Sequence, residues 1–235
     1  MKETQTRKPE AEIASYIGKV LRDKFGKGPE SVFVTISLPF ISVYIRNFFS
    51  PIEQALMDQK EANTIQNTRA LLMESLRVEI KAYIQVITGV EIKEFYYDWN
   101  IANKTGAFLA IAAQDKNSKN VAQKFKGKDA VDLKIKDISQ EVQKAPEHIE
   151  SYRMNDRLML VIREGILVKI EKELIRQGYE KILKTTKRIL EKSYLHDNEF
   201  EKILNQKVTE IFVDWDFDLD KSAIWFILNG ETEKH

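Results

Sequence analysis

The chain has 235 residues, 43% of them hydrophobic, enough to bury a core across one large domain or two small ones. Its 37 basic and 36 acidic side chains leave a net charge of +1, so nothing at the whole-chain level draws it to nucleic acid, anionic lipid or an acidic partner. Cysteine is absent, which excludes disulfides, thiolate zinc sites and a thiol nucleophile and fits a reducing, cytoplasmic compartment. The first ten residues lack the apolar segment of a secretory signal. The longest apolar stretch, Val32 to Ile45, is interrupted by Thr35, Ser37, Pro39 and Ser42 and falls short of the ~20 residues a spanning helix needs, so an integral membrane protein is not expected.

Residues 11–25 place Ile13, Ile17, Val20, Leu21 and Phe25 on one helical face, and Gly26, Gly28 and Pro29 stop that helix. SVFVTIS and FISVYIR are β-branched and aromatic, and read as two paired strands joined across Leu38 and Pro39. Ser50 and Pro51 form an N-cap and first-turn pair that opens a short helix, PIEQALMDQ. A longer helix follows, because Leu72, Leu76, Ile80, Tyr83, Ile84 and Ile87 recur at three- and four-residue spacing; Gly89 is placed to cap it. VEIKEFYYDW and AFLAIAA make a second hairpin across Asn103, Lys104, Thr105 and Gly106. Residues 114–128 lose the apolar period and carry Lys116, Lys119, Lys124, Lys126 and Lys128, a solvated linker whose lysines offer the one local patch that phospholipid or nucleic acid could use.

The second half repeats the first in order. Asp98 and Trp99 recur 116 residues on as Asp214 and Trp215, Arg46 matches Arg163 at 117, and PIEQALMDQ matches KIEKELIRQ at 118. Pro29 pairs with Pro146, Leu72 with Leu190, and Gly89 with Asn205, the two residue types that most readily end a helix in the left-handed conformation. The expected fold is α+β: two tandem helix-strand-strand-helix-helix-strand-strand units, residues 1–113 and 129–235, each a small, mostly antiparallel sheet covered by helices. The units are expected to form a pseudo-symmetric pair within the chain.

GKGPESV, the strand pair ending in Arg46, the FFSPIE turn, and the long helix followed by DWN and a hairpin together resemble the MpsC family. The resemblance covers residues 11–113 well and 129–229 loosely, since the second repeat lacks the GKG turn and the helix-opening proline. It implies a small cytosolic accessory protein associated with a bacterial membrane-potential-generating system, linked to sodium translocation and inorganic carbon uptake, with no cofactor and no established reaction.

Catalytic chemistry finds little support. His148, His196 and His235 lie far apart with no ligand spacing, and His196 beside Asp197 lacks a nucleophile. GKGP at 26–29 runs into a strand, where a phosphate cradle wants a helix N-terminus. DWDFDLD carries Asp214, Asp216, Asp218 and Asp220 at alternate positions, but a calcium loop would need Gly at 219 and Glu at 225, which hold Leu219 and Trp225. A solvated strand end is the plainer reading, with Trp215, Phe217 and Leu219 on the other face. Arg46 and Arg163 close apolar strands and are either anchors for a carboxylate- or bicarbonate-like anion or partners of Asp98 and Asp214 on neighbouring strands. Trp99 and Trp215 read as core anchors. The expected function is a non-catalytic accessory or regulatory protein that meets a membrane transport component through protein contacts, with no nucleic-acid role; the alternative is a small-anion sensor holding its ligand between the repeats.

Overall fold

A computed structural model describes residues 8–113, 125–196 and 199–230. The chain divides into two compact units, Met1–Lys119 and Asn120–His235, and the division falls inside the lysine-rich segment. Of that segment, residues 114–124 lie outside the described residues, as do Asp197 and His235, while Lys128 already begins a helix.

The first unit runs α1 (Pro9–Phe25), β1 (Ser31–Ser37), β2 (Phe40–Arg46), α2 (Pro51–Asp58), α3 (Ala62–Thr88), β3 (Ile92–Asn100) and β4 (Thr105–Ala112). The second runs α4 (Lys128–Val142), β5 (His148–Asn155), β6 (Leu158–Glu164), α5 (Lys169–Arg176), α6 (Glu180–Leu195), α7 (Glu199–Leu204), β7 (Val208–Asp216) and β8 (Lys221–Leu228). Each unit holds one antiparallel four-stranded sheet, in the orders β1-β2-β4-β3 and β5-β6-β8-β7. The α+β fold in two repeated units is therefore the observed one.

Local chemistry explains the boundaries. Gly26 ends α1 and Gly89 ends α3, both with left-handed φ (75° and 70°), which costs glycine nothing. Asn205 takes φ 50° at the matching place after α7, so the Gly89–Asn205 correspondence is one of backbone shape. Where α3 is continuous over 27 residues, the second unit has α6, which ends at Leu195, and the separate six-residue α7. Ser50 caps α2: its hydroxyl accepts the Glu53 amide (3.3 Å) while Glu53 Oε2 accepts the Ser50 amide (2.8 Å).

Alternate residues of the inner strands meet the helices. Ile41, Val43 and Ile45 of β2 and Phe108 and Ala110 of β4 join Ile13, Ile17 and Leu21 of α1 and Met73, Leu76 and Ile80 of α3 in one core. The second core joins Met159, Val161, Ile224 and Phe226 with Val131 and Ile135 of α4, Leu183 of α6 and Phe200 of α7.

The strand registers correct one correspondence read from the sequence. Arg46 stands opposite Ser31, whereas Arg163 stands opposite Ile149, and it is Glu164 that faces His148. Ile45 faces Gly106 and Arg163 faces Ser222, while Gly106 and Ser222 face the paired tryptophans Trp99 and Trp215. The counterpart of Arg163 is thus Ile45, and Arg46 corresponds to Glu164. A one-residue slip moves a side chain to the opposite face of a strand, so Arg46 is exposed and Arg163 is buried.

Candidate functional site

In the first unit the buried cation comes from α3. Arg69, fully buried, donates Nε–H to Glu53 Oε1 (2.6 Å), and Nη2 donates to Glu53 Oε2 (3.1 Å) and to the Phe48 carbonyl (2.9 Å). Its guanidinium carbon sits 4.8 Å from the Phe48 ring centre and 4.6 Å from that of Trp99, with Phe25 and Phe49 farther out at 5.9 and 5.8 Å. Glu53 therefore closes the helix cap of α2 and neutralises a core arginine with one carboxylate. Burial pushes the Glu53 carboxyl up, but the Arg69 hydrogen bonds and charge, with help from Ser50, outweigh it and hold the group below its ordinary 4.5.

The second unit keeps this device in altered form. Glu171 of α5 accepts the Val168 amide at Oε2 (2.9 Å) and Lys187 Nζ at Oε1 (2.7 Å), and Nζ lies 5.7 Å from the Trp215 ring centre. Glu53 and Glu171, and Arg69 and Lys187, are each 118 residues apart, the spacing of the two short helices. Lysine offers a point charge where arginine offers a planar fork, so the two-pronged pairing is lost and the aromatic cage shrinks to Trp215: the positions of Phe48 and Phe49 hold Ile166 and Leu167.

The second unit adds another buried ion pair. Arg163 donates Nε–H to Ser222 Oγ (2.8 Å), Nη1 to Ser139 Oγ (2.9 Å) and Nη2 to Glu191 Oε2 (2.6 Å), and all four residues are fully buried. Gln143 joins this group to the first pair: its amide nitrogen donates to Glu191 Oε1 (3.4 Å) and its carbonyl accepts from Lys187 Nζ. At the matching places the first unit has Leu21, Phe25, Ile45, Met73 and Gly106. Five positions that are apolar in the first unit, four of them buried, are polar in the second and join the Glu171–Lys187 pair in one network of two cations and two carboxylates.

Of the residues singled out from the sequence, Arg163 pairs with Glu191 and not with Asp214. Its three donor nitrogens are taken by protein, which suits an internal strut better than an anion anchor. Asp214 is buried, not solvated, and accepts Lys184 (3.0 Å) and Arg188 (3.1 Å) of α6. Asp98 is buried, and its Oδ1 accepts the Trp99 amide (2.8 Å). Trp99 and Trp215 belong to the cores. The acidic run ends its strand at Asp216; Asp220 then turns back, accepting the Ile166 and Leu167 amides (2.8 Å each) and pairing with Lys172 (2.9 Å). Among the described residues, no group of three or more His, Cys, Asp or Glu side chains could hold a metal ion, and no helix is long and apolar enough to cross a membrane.

On the outer surface of the same helices, apolar side chains recur at matched positions. Ile52 of α2 is 73% exposed and its counterpart Ile170 of α5 is 66% exposed; Leu71 of α3 and its counterpart Ile189 of α6 are 64% and 65% exposed. Val78 and Val86 extend the row along α3 and Ile182 along α6, all exposed. No signal marked this face in advance, because a lone exposed isoleucine is ordinary; only agreement between the repeats singles it out.

These features define a tandem-repeat protein built from two helix-covered sheets, each with a buried carboxylate–cation strut between its second and third helices, beside its core tryptophan. The chain belongs to the MpsC family: the model of that family, described as "Na+-translocating membrane potential-generating system (MpsC)", matches residues 5–114 and again 131–230. A Bacillus subtilis (strain 168) relative, named "Uncharacterized protein YbcI", is 33% identical over 103 residues, which are 43% of this chain and 82% of the relative. That relative is thus about one repeat long. No solved structure matches.

Proposed function

We propose that this chain is a non-catalytic accessory or regulatory protein of the cytoplasm that acts through protein contacts on a membrane ion or inorganic carbon transport system. The observation that carries the reading is the matched apolar face: Ile52 with Ile170 and Leu71 with Ile189 stay more than three-fifths exposed in both repeats. Interior positions diverged as far as exchanging leucine for serine and isoleucine for arginine, yet these surface positions kept large aliphatic groups. Such retention fits a face that another protein covers. The family's description supplies the kind of partner, a sodium-translocating, potential-generating system. The buried Glu53–Arg69, Glu171–Lys187 and Arg163–Glu191 pairs are engaged with each other, which suits scaffolding better than turnover.

The test is capture of the full-length chain with detergent-solubilised membrane proteins. A transport component should co-purify with the natural chain and be lost from the I52K/L71K/I170K/I189K variant, while Arg46→Ala retains it. Equal recovery by all three proteins, or turnover of a substrate by the purified chain, would refute the proposal.

A further inference from the structure

Each sheet ends in two outer strands, β1 and β3 in the first unit and β5 and β7 in the second. An outer strand presents a row of backbone N–H and C=O groups, and proteins guard such edges with charges and bulges. Three of the four carry both guards. β3 has Lys93 and Glu94 and a register shift between Ile92 and Glu94; β5 has Glu150 and Arg153 and a shift between Arg153 and Asn155; β7 has Glu210 and Asp214 and a shift between Val208 and Glu210. β1 has neither. Its sequence SVFVTIS contains no charge, proline or glycine, and it pairs with β2 over seven consecutive residues without a shift.

Val32, Val34 and Ile36 turn to the core, and Phe33, Thr35 and Ser37 point from the opposite face. Phe33 is 49% exposed and lies 6.2 Å from Tyr44, ring centre to ring centre. Phe33 faces Tyr44 and Glu150 faces Ile162, so the second repeat holds a carboxylate where the first exposes a phenyl ring. Within one chain the fold accepts a guarded edge at this place and uses an unguarded one.

We infer that β1 is an open pairing edge that takes β1 of a second copy of this chain, antiparallel, joining two four-stranded sheets across a two-fold axis. The strand is complementary to itself. Centred on Val34, antiparallel pairing sets Ser31 against Ser37, Val32 against Ile36 and Phe33 against Thr35 of the other copy. Apolar thus meets apolar on the core face, the phenyl ring meets a threonine methyl on the other, and no like charges face each other. A charged segment would find no opposite charge along β1, which favours a second copy over an acidic or basic partner strand. This surface is separate from the helix face proposed above, and either proposal can fail alone.

Sedimentation velocity of the full-length protein over a concentration series tests it. A species of twice the 27.4 kDa chain mass is expected. Phe33→Lys should return it to the chain mass at the same concentrations, raising the dimer dissociation constant about tenfold or more, because an edge lysine must be desolvated in the pair. Ile189→Lys, on the helix face, should leave the dimer intact. If F33K fails to fold, hydrogen exchange of the natural protein decides: the amides of Ser31–Ser37 should gain protection as concentration rises. A single-chain mass up to about 100 μM, a dimer that F33K leaves unchanged, or β1 exchange that ignores concentration would each overturn the inference.

Discussion

Replacing Arg163 with methionine would remove three hydrogen bonds at once and leave the Glu191 carboxylate buried, with only the long 3.4 Å contact from Gln143, and Ser139 and Ser222 stranded beside it. Breaking one side of a buried pair typically costs about 3–5 kcal/mol, most of it the desolvation of the charge left behind. Glu191→Met should cost as much for the mirror-image reason. The same fold also supplies the all-apolar solution, since the first unit fills the equivalent space with Leu21, Ile45, Met73 and Gly106. The fourfold exchange S139L/R163I/E191M/S222G should therefore restore stability to within about 1 kcal/mol of the natural protein, or exceed it, because apolar residues of similar volume often replace a buried ionic cluster without loss. Urea denaturation gives the free energies, and amide exchange in α6 assigns the loss to the second unit. Single variants costing under about 1 kcal/mol, or a fourfold variant as damaged as the sum of its parts, would refute the reading of this network as a self-contained replacement for an apolar core.

Two further outcomes are expected. Because the Glu53 carboxyl sits below its ordinary 4.5 in the folded state, the unfolded chain binds more protons as the solution is acidified. The strut's contribution is then present above about pH 4.5 and is lost as pH falls through the folded value; Arg69→Met should remove that acid-side dependence along with about 3–5 kcal/mol of first-unit stability, read by melting curves from pH 3 to 7. Gly106→Ala should destabilise the first unit by about 1–3 kcal/mol in the same melts, since its Cβ would lie 2.2 Å from the Trp99 ring, although the counterpart Ser222 carries a side chain without difficulty.

The elements were legible because their signals are local. The apolar spacing of α3, the Ser50–Pro51 start of α2, the β-branched run of β1 and β2, and the glycines after α1 and α3 each act within a few residues of themselves. The chemistry of the core was hidden because it depends on register. Arg46 and Arg163 looked equivalent by position in a strand, but one residue of drift between the repeats sends them to opposite faces. Arg69 and Lys187 lay within helical patterns dominated by leucine and isoleucine, where a cation reads as solvent-facing. Their recurrence at the same 118-residue spacing as Glu53 and Glu171 is the signal that pairs them. The end of α6 at Leu195 carries no local signal in the sequence, because α6 and α7 both keep an apolar face.

The divergence between the repeats is uneven in a way that bears on function. Five matched positions are apolar in one repeat and polar in the other, and the polar set is tolerated because its members partner one another. The outer strand changed from an unguarded edge at Phe33 to a guarded one at Glu150. The outward positions of Ile52 and Leu71 kept their bulk in Ile170 and Ile189. Stability alone permits the first change, as the two units demonstrate by folding alike. It gives no reason to hold exposed isoleucine on two helices, where a lysine or glutamate would serve the helix equally well and leave less apolar surface in water. The partner proposed for that face would meet both repeats, whereas the edge partner proposed at β1 would meet the first repeat alone.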